Sequence, residues 1–297
     1  MRDGRLKARR GINRVTRLEL APFLQVAPLA AILCVFLLLP MGVLLVVSFF
    51  DYDSVQIIPS FQFTNYTDVL GSAVTWRTYL NTLRYTVIVW AVTAVLGFTI
   101  AYVLAFEIRS RTVQMVLFLV CTVPFLTSNI IRMISWIPFL GREGLLNSAL
   151  LKAGLIHQPL EFLLFSDFAV VLAYTHLYAL FMVTPIFNTM MRIDRRLLEA
   201  ALDNGAGWWR TLSSVILPLC KSGIAIGSIF VVTMVMGDFV TVRLMSGGQS
   251  ASVGLMISSQ ISSLQYPAAC ANAVVLLAIV LMMIAAMLRI VDIRKEL

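Results

Sequence analysis

The sequence is poor in charged residues and has few of the residue types that build metal sites. Only 13% of its 297 residues are charged, whereas 60% are hydrophobic; an average soluble domain is roughly a quarter charged. Polar surface is therefore too scarce to cover a water-soluble core of this size. His157 and His176 are the only histidines and stand too far apart to suggest a metal site. The composition favours a membrane protein.

Cysteine pairs and phosphate-binding loops are also missing. The four cysteines are widely scattered within or beside apolar runs and form no CxxC pair, so we expect small buried hydrophobic side chains. No G-x-x-x-x-G-K-[ST] segment is present, which predicts that this chain has no usual ATP site. No Ser/His/Asp or paired-carboxylate constellation stands out. We expect no catalytic residue, metal or cofactor within this chain.

Long apolar runs, in contrast, are abundant. A helix that crosses the hydrocarbon core needs about 20 largely apolar residues. The first run lacks a small-residue cleavage site after a short apolar core, so it is predicted to be a retained span. The fold class predicted is all-α, a polytopic membrane helix bundle of six transmembrane helices. These cover residues 22–48, 79–106, 113–131, 167–190, 222–242 and 271–290.

The arginines and lysines predict the orientation of these spans. With the N-terminus inside, 17 of the 23 basic residues fall in inner segments and six on the other side, as the positive-inside rule requires. We therefore expect a cytoplasmic basic tail over 1–21, a membrane domain over 22–290 and a cytoplasmic C-terminus over 291–297. Anionic headgroups account for the net charge of +8 without a nucleic-acid partner.

One cytoplasmic loop, residues 191–221, has a distinct local pattern. Asp194 is a good N-cap because its carboxylate can accept an orphan backbone N–H. The next ten residues are rich in good helix formers, and Gly205 suits the left-handed position that ends a helix. The pattern predicts a short helix over 195–204, too short to span the membrane, and a second helix that starts near Trp208.

The first of these helices presents small and acidic side chains. Glu199 and Asp203 share a face through their i, i+4 spacing, and Ala200 and Ala201 permit close approach of another backbone. Such a helix suits docking into a groove of another protein. A solvated connector between two spans is the alternative, and the physical pattern alone leaves both open.

The same loop resembles a known motif. Glu199-Ala200-Ala201, Gly205 four residues later and then Ile216-Leu217-Pro218 resemble the EAA loop of binding-protein-dependent ABC importer permeases of type I. The isoleucine stands one position late, and Val215 can fill the earlier slot. In that family the loop is the coupling helix that docks on the ATP-binding subunit. The resemblance implies this role for Glu199, Ala200, Ala201, Asp203 and Gly205.

The family resemblance also implies partners and a mechanism. It implies an ABC ATPase dimer that holds ATP and Mg, a second permease subunit and a periplasmic substrate-binding protein, in a bacterial inner membrane. Transport by alternating access follows from the same resemblance. An intramembrane enzyme is the alternative of a different class, but it needs converging His, Asp or Ser residues. A scaffolding protein would leave the Glu-Ala-Ala loop unexplained.

Further segments resemble the spermidine/putrescine branch of these permeases. The same architecture could import a different solute, such as ferric iron, a phosphonate, an opine or an amino-acid derivative. The segments that resemble the polyamine branch are Pro124 through Arg132 to Trp136, Gly144-Leu145-Leu146-Asn147, Thr184-Pro185, Ile193-Asp194, Gly237-Asp238-Phe239 and Gly247-Gly248.

Candidate residues for a substrate pathway include one acid that is predicted to lie within the fifth span. Charge at that depth is costly and usually faces a water-filled cavity or the interior of the bundle. Asp238 is therefore either a group that recognises a cation or a structural partner of Arg132 or Arg243. Aromatic rings can flank a cationic substrate, or they can serve as interface anchors and core residues. The aromatic candidates are Trp136, Tyr174 and Tyr178.

Overall fold

The computed structural model describes residues 26–53 and 56–290. The two predicted cytoplasmic tails and the first residues of the first span lie outside the described residues. Within the described part, four helices are long and apolar enough to cross a membrane, and two bent helix pairs raise this to six if each pair is one span.

The membrane helices follow the predicted apolar runs. The four continuous ones are α1 (Val26–Val47), α3 (Ala73–Glu107), α7 (Asp167–Met190) and α13 (Tyr266–Ile290). The bent pairs join α4 (Arg111–Leu126) to α5 (Asn129–Leu140) and α6 (Leu145–Lys152), and α9 (Trp208–Leu219) to α10 (Lys221–Gly237). Shorter helices are α2 (Thr64–Gly71), α8 (Arg195–Asp203), α11 (Val240–Met245) and α12 (Val253–Ser262).

The third predicted span ends earlier than residue 131, which corrects that boundary. Helix α4 stops at Leu126, and the chain turns by 90° before Asn129. Pro124 has no N–H to continue the helix, and the hydroxyl of Thr127 donates to its carbonyl at 2.7 Å. Thr127 itself is extended, with φ −95° and ψ 153°. The apolar run continues in sequence, but the helix axis changes direction.

The fifth predicted span is also shorter than expected. Helix α10 ends at Gly237, and α11 starts at Val240 after an extended Asp238 with φ −83° and ψ 127°. Asp238 therefore lies in a break between helices, and its placement inside a continuous span is wrong. Glycine is a weak helix former, and the Asp238 carboxylate accepts the backbone N–H of Thr241 at 3.0 Å. That local bond competes with helix continuation.

A small antiparallel hairpin departs from the all-α prediction. Strand β1 (Asp51–Asp53) pairs with β2 (Gln56–Ile58) through Tyr52 opposite Ile57. Ile57 and Ile58 are β-branched and favour a strand. Each strand has only three residues, so the hairpin is far shorter than the apolar runs from which the spans were predicted.

The core lies where α3, α7 and α10 pack against one another. Glycines let the helix backbones approach closely, as in other membrane bundles. A methyl group built on Gly97 would lie 2.7 Å from Met182 Cγ, and one on Gly223 would lie 2.6 Å from the carbonyl oxygen of Pro185.

Helix α1, in contrast, has no buried residue in its apolar stretch. Cys34 on α1 is exposed, so the expectation of burial is wrong for this cysteine, whose apolar surroundings suit lipid.

A polar cluster ties the start of α7 to α3. The Asp167 carboxylate accepts hydrogen bonds from Tyr85 and Ser250 and pairs with Arg84 at 3.3 Å. Nearby, the backbone N–H of Val253 donates to the hydroxyl of Thr82 at 2.9 Å. The loop before α12 is therefore fixed to the end of the helical core.

Gly223→Ala is expected to lower the thermal stability of the purified protein. The new methyl would press on backbone atoms of α7, which cannot move aside like a flexible side chain. Overpacking of this kind costs about 1–3 kcal/mol. The measurement is the melting temperature in detergent, and Gly42→Ala is the control because nothing lies within 4 Å of that position. Equal melting temperatures for both variants would contradict the packing argument.

Candidate functional site

The short cytoplasmic helix forms as its sequence predicts. Helix α8 spans Arg195–Asp203, and the Asp194 carboxylate accepts the backbone N–H of Arg196 at 3.0 Å. Gly205 has φ +73°, and its N–H donates to Leu202 O at 2.8 Å. A glycine is required at this left-handed position. The predicted cap, helix and terminating glycine are confirmed.

The face of α8 that carries the Glu-Ala-Ala motif is open to a partner. Glu199, Ala200 and Asp203 are exposed, whereas Leu198 on another face packs against the core. Within the described residues, neither Glu199 nor Asp203 takes part in an ion pair. Helix α8 therefore has one face packed against the bundle and one exposed face that carries Glu199 and Asp203.

Two contacts connect this loop to the C-terminal end of α3. Arg195 donates to the carbonyl of Ala105 at 3.4 Å, and the indole N–H of Trp208 donates to the hydroxyl of Tyr102 at 3.2 Å. Trp208 begins α9, which leads directly into α10. The loop that contains α8 is therefore connected to two of the three helices that form the core.

A second site surrounds Asp238 in the break after α10. Its carboxylate accepts hydrogen bonds from the hydroxyl groups of Tyr178 and Thr241, each at 2.6 Å, and from the backbone N–H of Thr241 at 3.0 Å. Tyr174 donates to the Asp238 carbonyl at 3.2 Å and stacks on Tyr178, with ring centroids 5.8 Å apart. The structure thus brings together three of the four residues predicted for the pathway.

The structural interpretation of Asp238 named two arginine partners. Neither Arg132 nor Arg243 forms an ion pair with it, because the ion pairs among the described residues are Arg84–Asp167 and Arg142–Glu161. Arg132 instead donates to the side-chain oxygen of Asn129. The carboxylate is held by the hydroxyl groups of Tyr178 and Thr241 and by a backbone N–H group.

Asp238 faces a cleft of about 600 Å³ at the point where the two helix breaks meet. The carboxylate is half-buried, so a ligand in the cleft can reach it. An anionic group flanked by an aromatic ring suits an ammonium ion. Lining residues come from the start of α5, from α7 and from the break after α10, and include Ser128, Asn129, Met133, Tyr178, Gly237, Asp238 and Phe239.

A second cavity continues along α7 away from Asp238. It measures about 560 Å³ and reaches from Phe125 and Phe181 to Arg192 at the start of the cytoplasmic loop. The rings of Tyr178, which lines the first cavity, and Phe181, which lines the second, lie 6.3 Å apart.

Trp136 has different surroundings from the other pathway candidates. Its indole N–H donates to His176 Nδ1 at 3.1 Å, and its ring packs against Phe139 and the core. It does not line the cleft around Asp238.

Sequence reasoning missed Ser128, Asn129 and Thr241. A cluster of polar residues directly after Pro124 was the available signal, since such clusters mark a break in an apolar run.

The long helices, the docking helix and the cleft define a membrane permease, and comparison with known proteins confirms this. Residues 93–293 match the family described as binding-protein-dependent transport system inner membrane component. The chain belongs to this family of ABC importer permeases. It is a multi-pass inner-membrane transport subunit, and ATP hydrolysis belongs to a separate subunit. The enzyme and scaffold alternatives are excluded.

Two similar proteins of known name are permeases of the spermidine/putrescine branch. The chain is 32% identical over 241 residues to the spermidine/putrescine transport system permease protein PotB of Haemophilus influenzae, which covers 80% of this chain and 82% of PotB. The chain is also 32% identical to PotB of Escherichia coli K12 over 229 residues. That match covers 77% of this chain and 82% of the relative. The resemblance to polyamine permeases is confirmed.

The fold also matches a solved transporter. One chain of a bacterial alginate ABC transporter, in complex with an alginate pentasaccharide-bound periplasmic protein, superposes with a TM-score of 0.75 at 17% identity. The match covers 94% of each chain. At this identity the likeness supports the architecture alone.

Proposed function

We propose that this chain is the permease subunit of an ATP-driven importer for polyamines of the spermidine/putrescine type. The observation that carries the proposal is its 32% identity to PotB over about four-fifths of its length. The carboxylate of Asp238 in the cleft, which is in no ion pair among the described residues, supports the same substrate class, because polyamines carry several ammonium groups. A carboxylate there disfavours an anionic phosphonate.

In the proposed topology each bent helix pair forms one span, which gives six. The excess of arginine and lysine places both termini in the cytoplasm, with a basic tail over 1–21, a membrane domain over 22–290 and a short C-terminal segment over 291–297. The loop 191–221 is then cytoplasmic. The helix breaks near Thr127 and Asp238 lie toward the opposite side.

The proposed assembly has four kinds of component. An ABC ATPase dimer, which holds ATP and Mg, docks on Glu199, Ala200, Ala201, Asp203 and Gly205. A second, different permease subunit closes the open side of the cleft, and a periplasmic substrate-binding protein delivers the solute. Lipid surrounds the exposed apolar helices, of which α1 is the clearest case.

The proposed mechanism is alternating access. ATP binding closes the ATPase dimer and shifts α8, and the contacts of Arg195 and Trp208 with α3 pass this shift to the core helices. ATP must bind one global state more tightly than the other for the coupling to work. Asp238 and Tyr178 then receive the cationic solute in the outward-facing state, while the buried Tyr174 supports the ring of Tyr178. The cavity along α7 leads the solute inward.

A reconstituted transporter tests the substrate class. We expect proteoliposomes that contain this chain, its ATPase, its second permease and its binding protein to take up spermidine or putrescine when ATP is supplied inside. ATP hydrolysis should rise with the same ligands and remain at its basal rate with a phosphonate, ferric iron or an opine. Stimulation by one of those solutes and not by polyamines would overturn the substrate assignment while leaving the permease role intact.

A further inference from the structure

A polar cavity of about 420 Å³ lies beside the start of α8, apart from the docking face and the Asp238 cleft. One wall is the segment from Ala105 to Gln114, which joins α3 to α4. The other wall is the segment from Met190 to Arg195, which joins α7 to α8. Four arginines line it against one aspartate: Arg109, Arg111, Arg192 and Arg195, with Asp194.

The arginines of this cavity have no acidic partner in the described part of the chain. Neither of the two ion pairs found there includes any of them. Asp194 directs one carboxylate oxygen to the backbone N–H of Arg196, where it caps α8. Four guanidinium groups around one cavity repel each other, and an anion bound between them would relieve this repulsion.

The wall behind the arginines is rigid. Gln114 is buried, and its side-chain amide donates to the carbonyl of Leu104 at 2.6 Å. Arg195 donates to the neighbouring carbonyl of Ala105 at 3.4 Å. These bonds join the end of α3, the start of α4 and the start of α8, so the guanidinium groups project from a fixed frame.

The position of the cavity matches the membrane surface. Helix α3 ends at Glu107, α4 begins at Arg111 and α7 ends at Met190, so three membrane helices terminate around it. The exposed indoles of Trp208 and Trp209 follow in the same loop, and tryptophan is enriched at the interface. Basic pockets between membrane helices on the cytoplasmic side are suited to phospholipid headgroups.

We propose that this cavity binds a phosphate group, either the phosphodiester of an anionic phospholipid or a soluble phosphate. Guanidinium forks match phosphate oxygens in pairs, and four of them converge here from two walls. The bound phosphate would join the loop after α3 to the first turn of α8, and so stiffen the connection through which α8 moves the bundle. This inference does not depend on which solute is transported.

Binding to the assembled, purified transporter tests this proposal with separate probes. Native mass spectrometry measures the binding of short-chain phosphatidylglycerol, and calorimetry measures inorganic phosphate, with phosphatidylcholine as the zwitterionic comparison. The test variant is Arg109→Gln/Arg195→Gln, with one change in each wall, and Arg109→Lys/Arg195→Lys keeps the charge. Arg210→Gln/Arg289→Gln is the matched control, since both arginines are exposed and lie outside the cavity.

We expect the glutamine variant to weaken binding on the order of tenfold or more, and the lysine variant to weaken it less. The control should bind like the unchanged protein. Binding of phosphatidylglycerol alone identifies a lipid as the source, and binding of inorganic phosphate identifies a soluble one. No binding of either probe, or equal binding by the glutamine variant and the unchanged protein, would overturn the proposal.

Discussion

Glu199→Arg is expected to reduce ATP-driven uptake more than tenfold while the protein still reaches the membrane. Glu199 lies on the exposed face of α8, where the ATPase is proposed to dock, and it makes no ion pair among the described residues. The folded chain therefore does not rely on its charge. A charge reversal at an interface brings like charges together and costs on the order of 2–5 kcal/mol of binding free energy. This corresponds to a loss of roughly thirtyfold or more in affinity.

The measurement for Glu199 combines uptake with ligand-stimulated ATP hydrolysis in proteoliposomes. An uncoupled transporter should lose both uptake and stimulation. Glu143→Arg is the matched control, because Glu143 is equally an exposed glutamate but lies in the loop between α5 and α6. Unchanged uptake by Glu199→Arg, with the protein present at normal levels, would count against the coupling role of α8.

Asp238→Asn is expected to reduce the uptake of a cationic solute by about tenfold or more. Hydrogen bonds to a charged group contribute roughly 1.5–3 kcal/mol, and the variant removes the charge. Asparagine keeps one side-chain oxygen for the backbone N–H of Thr241, and its NH2 group can donate to the hydroxyl oxygens of Tyr178 and Thr241, which now donate to the other carboxylate oxygen. The break after α10 should therefore persist, and the reduced uptake should reflect the missing negative charge.

The measurement for Asp238 is the dependence of polyamine uptake on concentration, with the melting temperature of the purified complex recorded alongside. Asp68→Asn serves as the matched control, since Asp68 is exposed on α2 and lies outside the cleft. Tyr178→Phe removes one hydrogen bond and keeps the ring, so we expect a smaller loss. Uptake at the level of the unchanged protein in Asp238→Asn would assign this aspartate a structural role.

Local rules were sufficient for the docking helix. Asp194 as N-cap and Gly205 as terminator act through bonds within a few residues, so their effect is readable without the rest of the chain. The observed helix Arg195–Asp203 agrees with the prediction to within one residue. Helix α7 likewise has the predicted bounds of 167–190, because a long apolar run between polar loops has few alternatives in a membrane.

The two helix breaks could not be read from hydropathy. The runs 113–131 and 222–242 are apolar on average despite the polar residues near Thr127 and Asp238, and average apolar content carries no information about the direction of a helix axis. The breaks depend on competing local bonds, such as that between Thr127 and Pro124 O, and on neighbouring helices that accept a 90° turn. Ser128, Asn129 and Thr241 were missed for this reason.

The sequence by itself determined that this chain is a membrane helix bundle with a short helix between two of its spans, because both features arise from composition and from interactions over a few residues. Only the tertiary structure decided which side chains share a site. Asp238 and Tyr178 are 60 residues apart in sequence and 2.6 Å apart in space, and the arginines beside α8 come from two separate loops. Such contacts depend on how helices pack across the bundle, and the close approach at Gly97 and Gly223 sets that packing.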